Sequence, residues 1–373
     1  MSATNRLSWV DMAKGLSIIL VVMMYAAYSV GDDTGGTGVL HYVIGFATPF
    51  RMPEFFLISG LFLSQVIARP FARYADRRVV HYFYFYALWV TIMVIVKHAI
   101  GEHDPNKALS LFVESAVQPY GVLWFIYMLG VFSLVTRLLW QVRAPHWLVI
   151  PLAAGLQMAQ VEVPSYAVTQ FAAYFVFFYI GYAGAPLVFK VVDWVERHPR
   201  ASILGLAVWA LAEAFLVFSP GYTISLFGFT YVNPGFAILP THTQMGYAAF
   251  PPVHLTLAVI GAVALCAMGA LLSRFWFMDW LRWMGEHSIV IYLAFTLPMS
   301  AIRIAALKTG LLTDPGMLSI VVLLASIALP VALYLATRWT GIATFLFERP
   351  AWAHIPGTPG SLAARRMARV PAE

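Results

Sequence analysis

Charge is scarce in this sequence. Only 11% of its 373 residues are Asp, Glu, Lys or Arg, against roughly 25% in a typical soluble domain. Hydrophobic residues make up 61%. A soluble core of this length cannot enclose so much apolar surface, so a soluble globular protein is excluded. There is one cysteine, Cys266, and therefore no intrachain disulfide framework. No HExxH, CxxC, P-loop or GxGxxG pattern stands out, so neither a metal site nor a nucleotide-binding fold is expected. A cleavable leader is not expected either. The first apolar segment is long, and no small-residue cleavage site clearly follows it.

What is present is a succession of apolar runs. A membrane-spanning helix needs about 20 mostly apolar residues. Ten spans are expected, at roughly 9–30, 39–68, 79–100, 119–140, 146–161, 167–190, 201–219, 253–273, 286–307 and 315–338. The fold class is therefore all-α, a polytopic membrane bundle. Residues 1–345 read as a single membrane-embedded domain. Residues 346–373 read as a cytoplasmic tail, rich in Pro, Gly and Ala and expected to be disordered. The stretch 275–284 is too short to span. Trp276, Trp280 and Trp283 mark it as an interfacial helix.

The basic residues give an independent test. With a cytoplasmic N-terminus and ten alternating spans, most of the 23 Lys and Arg residues fall on the inner side. They include Arg6, Lys14, Arg69, Arg73, Arg77 and Arg78. Lys97, Lys107 and Lys308 fall outside, and Arg51 and Arg303 lie within spans. This asymmetry follows the positive-inside rule and places both termini in the cytoplasm. The net charge of +6 is thus a topology signal, and no nucleic-acid partner is expected.

Two ionisable residues interrupt the second apolar run, PFRMPEFFLISGLFL. A charge at membrane depth is costly and points to function. Arg51 and Glu54 are three residues apart and share a helix face. Arg51 suits an oxyanion or carbonyl, and Glu54 suits a general base. A structural ion pair tying helices together is the alternative. In the first span, Asp11 and Lys14 share a face near the inner end, where Lys14 can snorkel to phosphates. Tyr25 lies about 16 Å further along the axis, at a level compatible with Arg51 and Glu54. Its alternative role is aromatic packing. Glu213 in the seventh span and Arg303 in the ninth are expected to pair. His254 begins the eighth span from outside, close to His242. The segment 219–252 reads as a long outer loop, a lid or binding surface, with Asn233, Thr241 and Gln244 among aromatics that suit a sugar or an amphiphile.

Four segments together resemble one family. The opening Asp11, Lys14-Gly15, LSIILVVMM and Tyr25 is similar to the first span of the acyltransferase 3 family of integral membrane proteins. FRMPEFFLISGLFL resembles its Phe-Phe-x-x-Ser-Gly signature. GVLWFIYMLGVFSL and GEHSIVIYLAFTLP are similar to two later segments, in the family's order. The RMPEFFLISG variant looks most like a bacterial inner-membrane subgroup. The resemblance implies transfer of an acyl group, acetyl or another short acyl, from a cytoplasmic acyl-CoA to a hydroxyl of an envelope glycan or lipid. It implies no bound cofactor, with acyl-CoA as co-substrate. Glu54, Arg51 and Tyr25 would be catalytic, with Lys14, Arg77 and Arg78 meeting the donor's phosphates. His254, Arg303 and Glu213 would stand on the acceptor side.

Two departures matter. Lys14 stands where the family usually has Arg, and Tyr25 stands where it has a catalytic His. Tyrosine ionises near pH 10 in water, so it is a poor base at neutral pH. Three readings remain open. Tyr25 donates or orients a proton while Glu54 is the base; another histidine, such as His254 or His41, enters the site; or the chain has lost catalysis. In the last case it is a transporter, flippase or binding module for an envelope glycan or lipid.

Overall fold

The computed structural model describes residues 7–100, 105–226, 229–310 and 312–367. Arg6 and residues 368–373, which the charge count and the tail assignment include, lie outside the described residues. The helices in chain order are α1 (Ser8–Thr34), α2 (Val39–Ala47), α3 (Arg51–Leu61), α4 (Phe71–Ala75), α5 (His81–Ile100), α6 (Pro105–Glu114), α7 (Trp124–Gln141), α8 (His146–Met158), α9 (Tyr166–Ala183), α10 (Ala185–Arg197), α11 (Pro199–Val217), α12 (Pro251–Leu272), α13 (Asp279–Glu286), α14 (Ser288–Ala294), α15 (Thr296–Thr309), α16 (Pro315–Thr340) and α17 (Leu362–Met367). A π-helical turn, Asp76–Val80, joins α4 to α5. Strands β1 (Pro220–Leu226), β2 (Phe229–Gly235), β3 (Ala237–Ile238) and β4 (Thr243–Gln244) form two short antiparallel pairs.

The all-α membrane class expected from hydropathy is what the structure shows. Among the described residues, six helices are long and apolar enough to cross a membrane. Two further spans pass that test only as broken pairs, Tyr166–Ala183 with Ala185–Arg197 and Ser288–Ala294 with Thr296–Thr309. Two of the ten expected spans differ. Helix α8 has 13 residues, about 20 Å of rise, short of a bilayer core of about 30 Å. The expected span 39–68 divides into α2 and α3. Pro49 and Pro53 cause this, since a proline removes a backbone donor and crowds the preceding turn. The backbone tightens there instead, with Thr48 N–H on Gly45 O and Phe50 N–H on Ala47 O, both at 3.3 Å.

The chain forms two compact units. The first comprises residues 1–58 and 184–332. Helix α1 is its axis, packed by α2, α12, α13 and α14. Met12, Ala13, Ile18, Val22, Ala26, Ala27 and Val30 of α1 are fully buried. A helix apolar on every side belongs in an interior. Small residues let the backbones approach closely, which is how helices associate in lipid. A Cβ on Gly15 would overlap the Leu281 carbonyl oxygen, and one on Gly285 would overlap that of Asp11. Helix α13 overlaps the interfacial segment expected from its tryptophans and runs two residues beyond it. It turns Leu281 and Gly285 inward and leaves Trp280 exposed.

The segment expected as an outer loop is partly built. Strands β1 and β2 pair from Pro220↔Gly235 to Ser225↔Thr230. Tyr28 OH and Thr243 Oγ1 are 3.0 Å apart, which fastens the segment to α1. His41 is completely buried. Its Nδ1 accepts from Gly38 N–H at 3.1 Å, so its Nε2 carries the proton and donates to Pro240 O at 3.1 Å.

The second unit comprises residues 59–183 and 333–373. Helix α5 packs on α7. Tyr74 OH donates to Ser133 O at 2.6 Å, and Tyr86 OH donates to Ser115 O at 2.6 Å. The Arg137 guanidinium lies over Tyr74 and Trp140 and donates to Arg69 O at 3.2 Å. The stretch assigned by composition to a disordered tail differs in the structure. Residues 346–361 are packed against this unit, because Arg349 and Asp76 bury opposite charges together. Their side chains are 4% and 2% exposed and 2.7 Å apart. Trp89 Nε1 donates to Leu346 O at 3.1 Å. Thr358 and Ser361 are each only 2% exposed.

Candidate active site

Glu54 sits in the first turn of α3 and is completely buried. Its Oε2 accepts the Ser17 hydroxyl of α1. Its Oε1 has no hydrogen-bond partner among the described residues. Ser17 is also fully buried, and its hydroxyl lies 3.0 Å from Ala13 O. Lys14 stands one turn before Ser17, within electrostatic reach of the carboxyl group. Cys266 of α12, fully buried, lies within similar reach. A buried carboxyl with one uncommitted oxygen, a hydroxyl fixing the other and a lysine nearby is equipped to take and return a proton.

Two contacts fix how α1 meets the α2–α3 segment. Tyr28 faces His41, with ring centroids 5.8 Å apart, and Ser17 meets Glu54. The segments are therefore antiparallel. Glu54 stands at the level of Ser17, about 12 Å along the α1 axis from Tyr25. This corrects the expectation that Tyr25 and Glu54 share one level. The proline break and the Ser17 hydrogen bond set the register. The Tyr25 ring packs at 5.4 Å from that of Phe295.

Arg51 marks the break between α2 and α3. Its Nη1 donates to Thr48 Oγ1 at 3.0 Å and to Ile44 O at 3.4 Å. It thus ties the start of α3 back to the end of α2, sharing the Ile44 carbonyl with the Thr48 hydroxyl, which donates to it at 2.8 Å. The same bonds hold its charge one helical turn from Glu54.

On the expected acceptor side, Arg303 does not pair with Glu213. Its Nε lies 2.8 Å from Asp33 Oδ2, and its Nη1 donates to Ser29 O at 3.2 Å. The reason is proximity: the polar end of α1 presents an acid and a main-chain carbonyl to α15. Glu213 is completely buried, with neither carboxyl oxygen hydrogen-bonded among the described residues. His254 lies in the first turn of α12 and is half-buried. His41, with both ring nitrogens committed, serves as a clasp. Asn233 Oδ1 accepts from Gly235 N–H at 2.7 Å, so it shapes the hairpin end.

On the expected donor side, Lys14 lies in the first unit, and Arg77 and Arg78 lie in the second. Arg69, Arg73, Asp76, Arg77 and Pro359 line a cavity of about 380 Å³. Arg78 lines a smaller one beside it, with Arg69, Arg73 and Arg77. Sequence reasoning missed Ser17, Arg69, Arg73 and Asp76 as site residues. The fourfold spacing of 69, 73 and 77 is a readable signal. Ser17 carries only a weak one, its place one turn after Lys14. No group of three or more His, Cys, Asp or Glu suited to a metal ion occurs among the described residues.

A family model described as an acyltransferase domain matches residues 7–335. No curated protein and no solved structure matches the chain.

Proposed function

The chain belongs to the acyltransferase 3 family, and on that premise we propose that it moves a short acyl group from a cytoplasmic acyl-CoA to a hydroxyl of an envelope glycan or lipid in the bacterial inner membrane. It is a multi-pass membrane protein carrying an acyltransferase domain. The observation that carries the finer reading is the buried Glu54 carboxyl, held through one oxygen by Ser17 and bare at the other.

In this reading the acceptor O–H gives its proton to Glu54 as its oxygen attacks the thioester carbonyl. Arg51 stabilises the tetrahedral oxyanion. Collapse breaks the C–S bond, and the thiolate takes the proton back from Glu54. The products are an ester and free CoA, and Glu54 is restored. Tyr25, about 12 Å along α1 from the level of Glu54, contacts the acceptor away from its reacting hydroxyl. Lys14 and the arginine cavity receive donor phosphates, since guanidinium groups bind phosphate through paired N–H bonds. His254, Arg303 and Glu213 stand towards the acceptor.

The test compares ester-linked acyl groups on envelope glycans and lipids, by mass spectrometry, in a host with and without this gene. An acyl mass that is missing without the gene, returns with the wild type and stays absent with folded Glu54→Gln supports the reading. Ester transfer unchanged in Glu54→Gln removes Glu54 from the mechanism. The position of Tyr25, packed on Phe295, favours a second reading, a catalytically lapsed relative that transports, flips or binds such a ligand. That reading expects an unchanged ester inventory with the wild type and new thioester turnover with Tyr25→His.

A further inference from the structure

The matched domain stops at residue 335, yet the chain beyond it returns to the arginine cavity. Arg69, Arg73 and Arg77 line that cavity with Asp76 and Pro359. Among the described residues, none of the three arginines has a carboxylate partner. Asp76 is the acid closest in sequence, and both its oxygens are committed elsewhere. Oδ2 takes Arg349 Nη2 at 2.7 Å and lies 3.1 Å from His354 Nδ1. Oδ1 takes Ile355 N–H at 2.8 Å. Arg349 Nη1 also donates to the Asp76 main-chain oxygen at 2.7 Å. The acid that would neutralise the arginines instead anchors a strap, residues 346–361.

The strap is shaped to come back. Gly357 and Gly360 have φ of +81° and +102°, a region that favours glycine. They reverse the chain so that Pro359 forms a wall of the cavity, while Thr358 and Ser361 on either side are buried. Asp76 also opens the π-helical turn, a backbone irregularity frequent at functional sites. Three exposed guanidiniums, none with a carboxylate partner among the described residues, border about 380 Å³, a site whose charge favours an anion. A phosphate group matches their paired donors.

We propose that the strap is a working part of this site: docked by Asp76, it completes a cavity that binds phosphate groups, and an occupying phosphate holds the strap down. Strap docking and anion binding are then linked, and each strengthens the other. The inference deepens the donor-side reading and rests on it only for which phosphate-bearing molecule enters.

The test uses the full chain in phosphatidylcholine nanodiscs. Cys266 is buried, so a cysteine introduced by Thr358→Cys is the reactive thiol. Its rate of modification by a charged maleimide reports strap opening. Pyrophosphate is expected to slow modification at least tenfold, and Arg73→Gln with Arg77→Gln is expected to abolish that protection. Arg349→Met is expected to speed modification and weaken pyrophosphate binding at least tenfold. Protection by pyrophosphate assigns the site to a soluble phosphate ligand. Protection only in discs containing phosphatidic acid assigns it to a lipid headgroup, with the same strap coupling. Modification unaffected by either phosphate source overturns the proposal. If Glu54→Gln leaves esterification unchanged while pyrophosphate still protects, the catalytic reading fails and the strap stands.

Discussion

Ser17→Ala isolates the part of the site that holds Glu54. Both side chains are fully buried. The Ser17 hydroxyl on Oε2 is the only hydrogen bond to the carboxyl among the described residues, because Oε1 has none. Removing the hydroxyl leaves both oxygens bare in an interior site. An orphaned buried acceptor costs about 1–3 kcal/mol. If Glu54 must be held at one orientation to accept the acceptor's proton, that loss falls on the transition state. Turnover is then reduced about 5- to 150-fold, at about 1.4 kcal/mol per factor of ten. The assay is thiol release from acyl-CoA by purified full-length protein in lipid, with melting temperature recorded in parallel. Ser17→Thr, which keeps the hydroxyl, is expected to retain more activity than Ser17→Ala. Ser17→Ala combined with Glu54→Gln is expected to be no worse than Glu54→Gln alone, since the two act as a unit. Wild-type turnover in Ser17→Ala, alongside an inactive Glu54→Gln, would refute the claim that this hydrogen bond positions the base.

Three other outcomes follow from the packing. Gly285→Ala places a methyl group onto the Asp11 carbonyl and is expected to cost about 1–3 kcal/mol, read as a lower melting temperature. Asp33→Asn removes a partly exposed ion pair, with side chains 19% and 34% exposed. It is expected to cost no more than about 1 kcal/mol, and a larger loss in thermal unfolding would show that the bond to Ser29 O does not hold Arg303 by itself. Burial, followed by the neighbouring Tyr231, pushes the Tyr222 phenol up to about 12. The wild type minus Tyr222→Phe difference spectrum should therefore show phenolate only near that pH. Because the unfolded chain releases this proton near pH 10, the hairpin loses stability as pH rises from about 10 through 12.

The sequence made the membrane class legible because hydropathy is a local property. It also exposed Arg51 and Glu54, since charges in an apolar run stand out singly. The proline pair around Arg51 carried the break between α2 and α3, which a window-averaged reading joined into one span. Three features were not legible, each because it is non-local. Ser17 is an ordinary residue in an apolar helix until Glu54 meets it from 37 positions away. Arg303 was given the wrong partner because Asp33 lies 270 residues earlier and reads as a loop acid beside the first span. The strap has the composition of a disordered tail, and contacts with residues far back in the chain, Asp76 and Trp89, order it. The family resemblance named the scaffold, while its expected histidine position told little about which side chains the base would touch.

The first unit is discontinuous along the chain, and this has a consequence for biosynthesis. Helix α12 and helix α13, which cover α1, leave the ribosome more than 200 residues after it. Asp11, Lys14 and Ser17 must meanwhile reside in or near lipid without the neighbours that later enclose them. Synthesis is on the order of 5–20 residues per second, so this waiting period lasts on the order of ten seconds or more. During that interval the same polar groups that later form the proposed site are a liability to insertion. An insertase or holding chaperone that shields the first helix is therefore expected to govern the yield of this protein more than the stability of the finished bundle does.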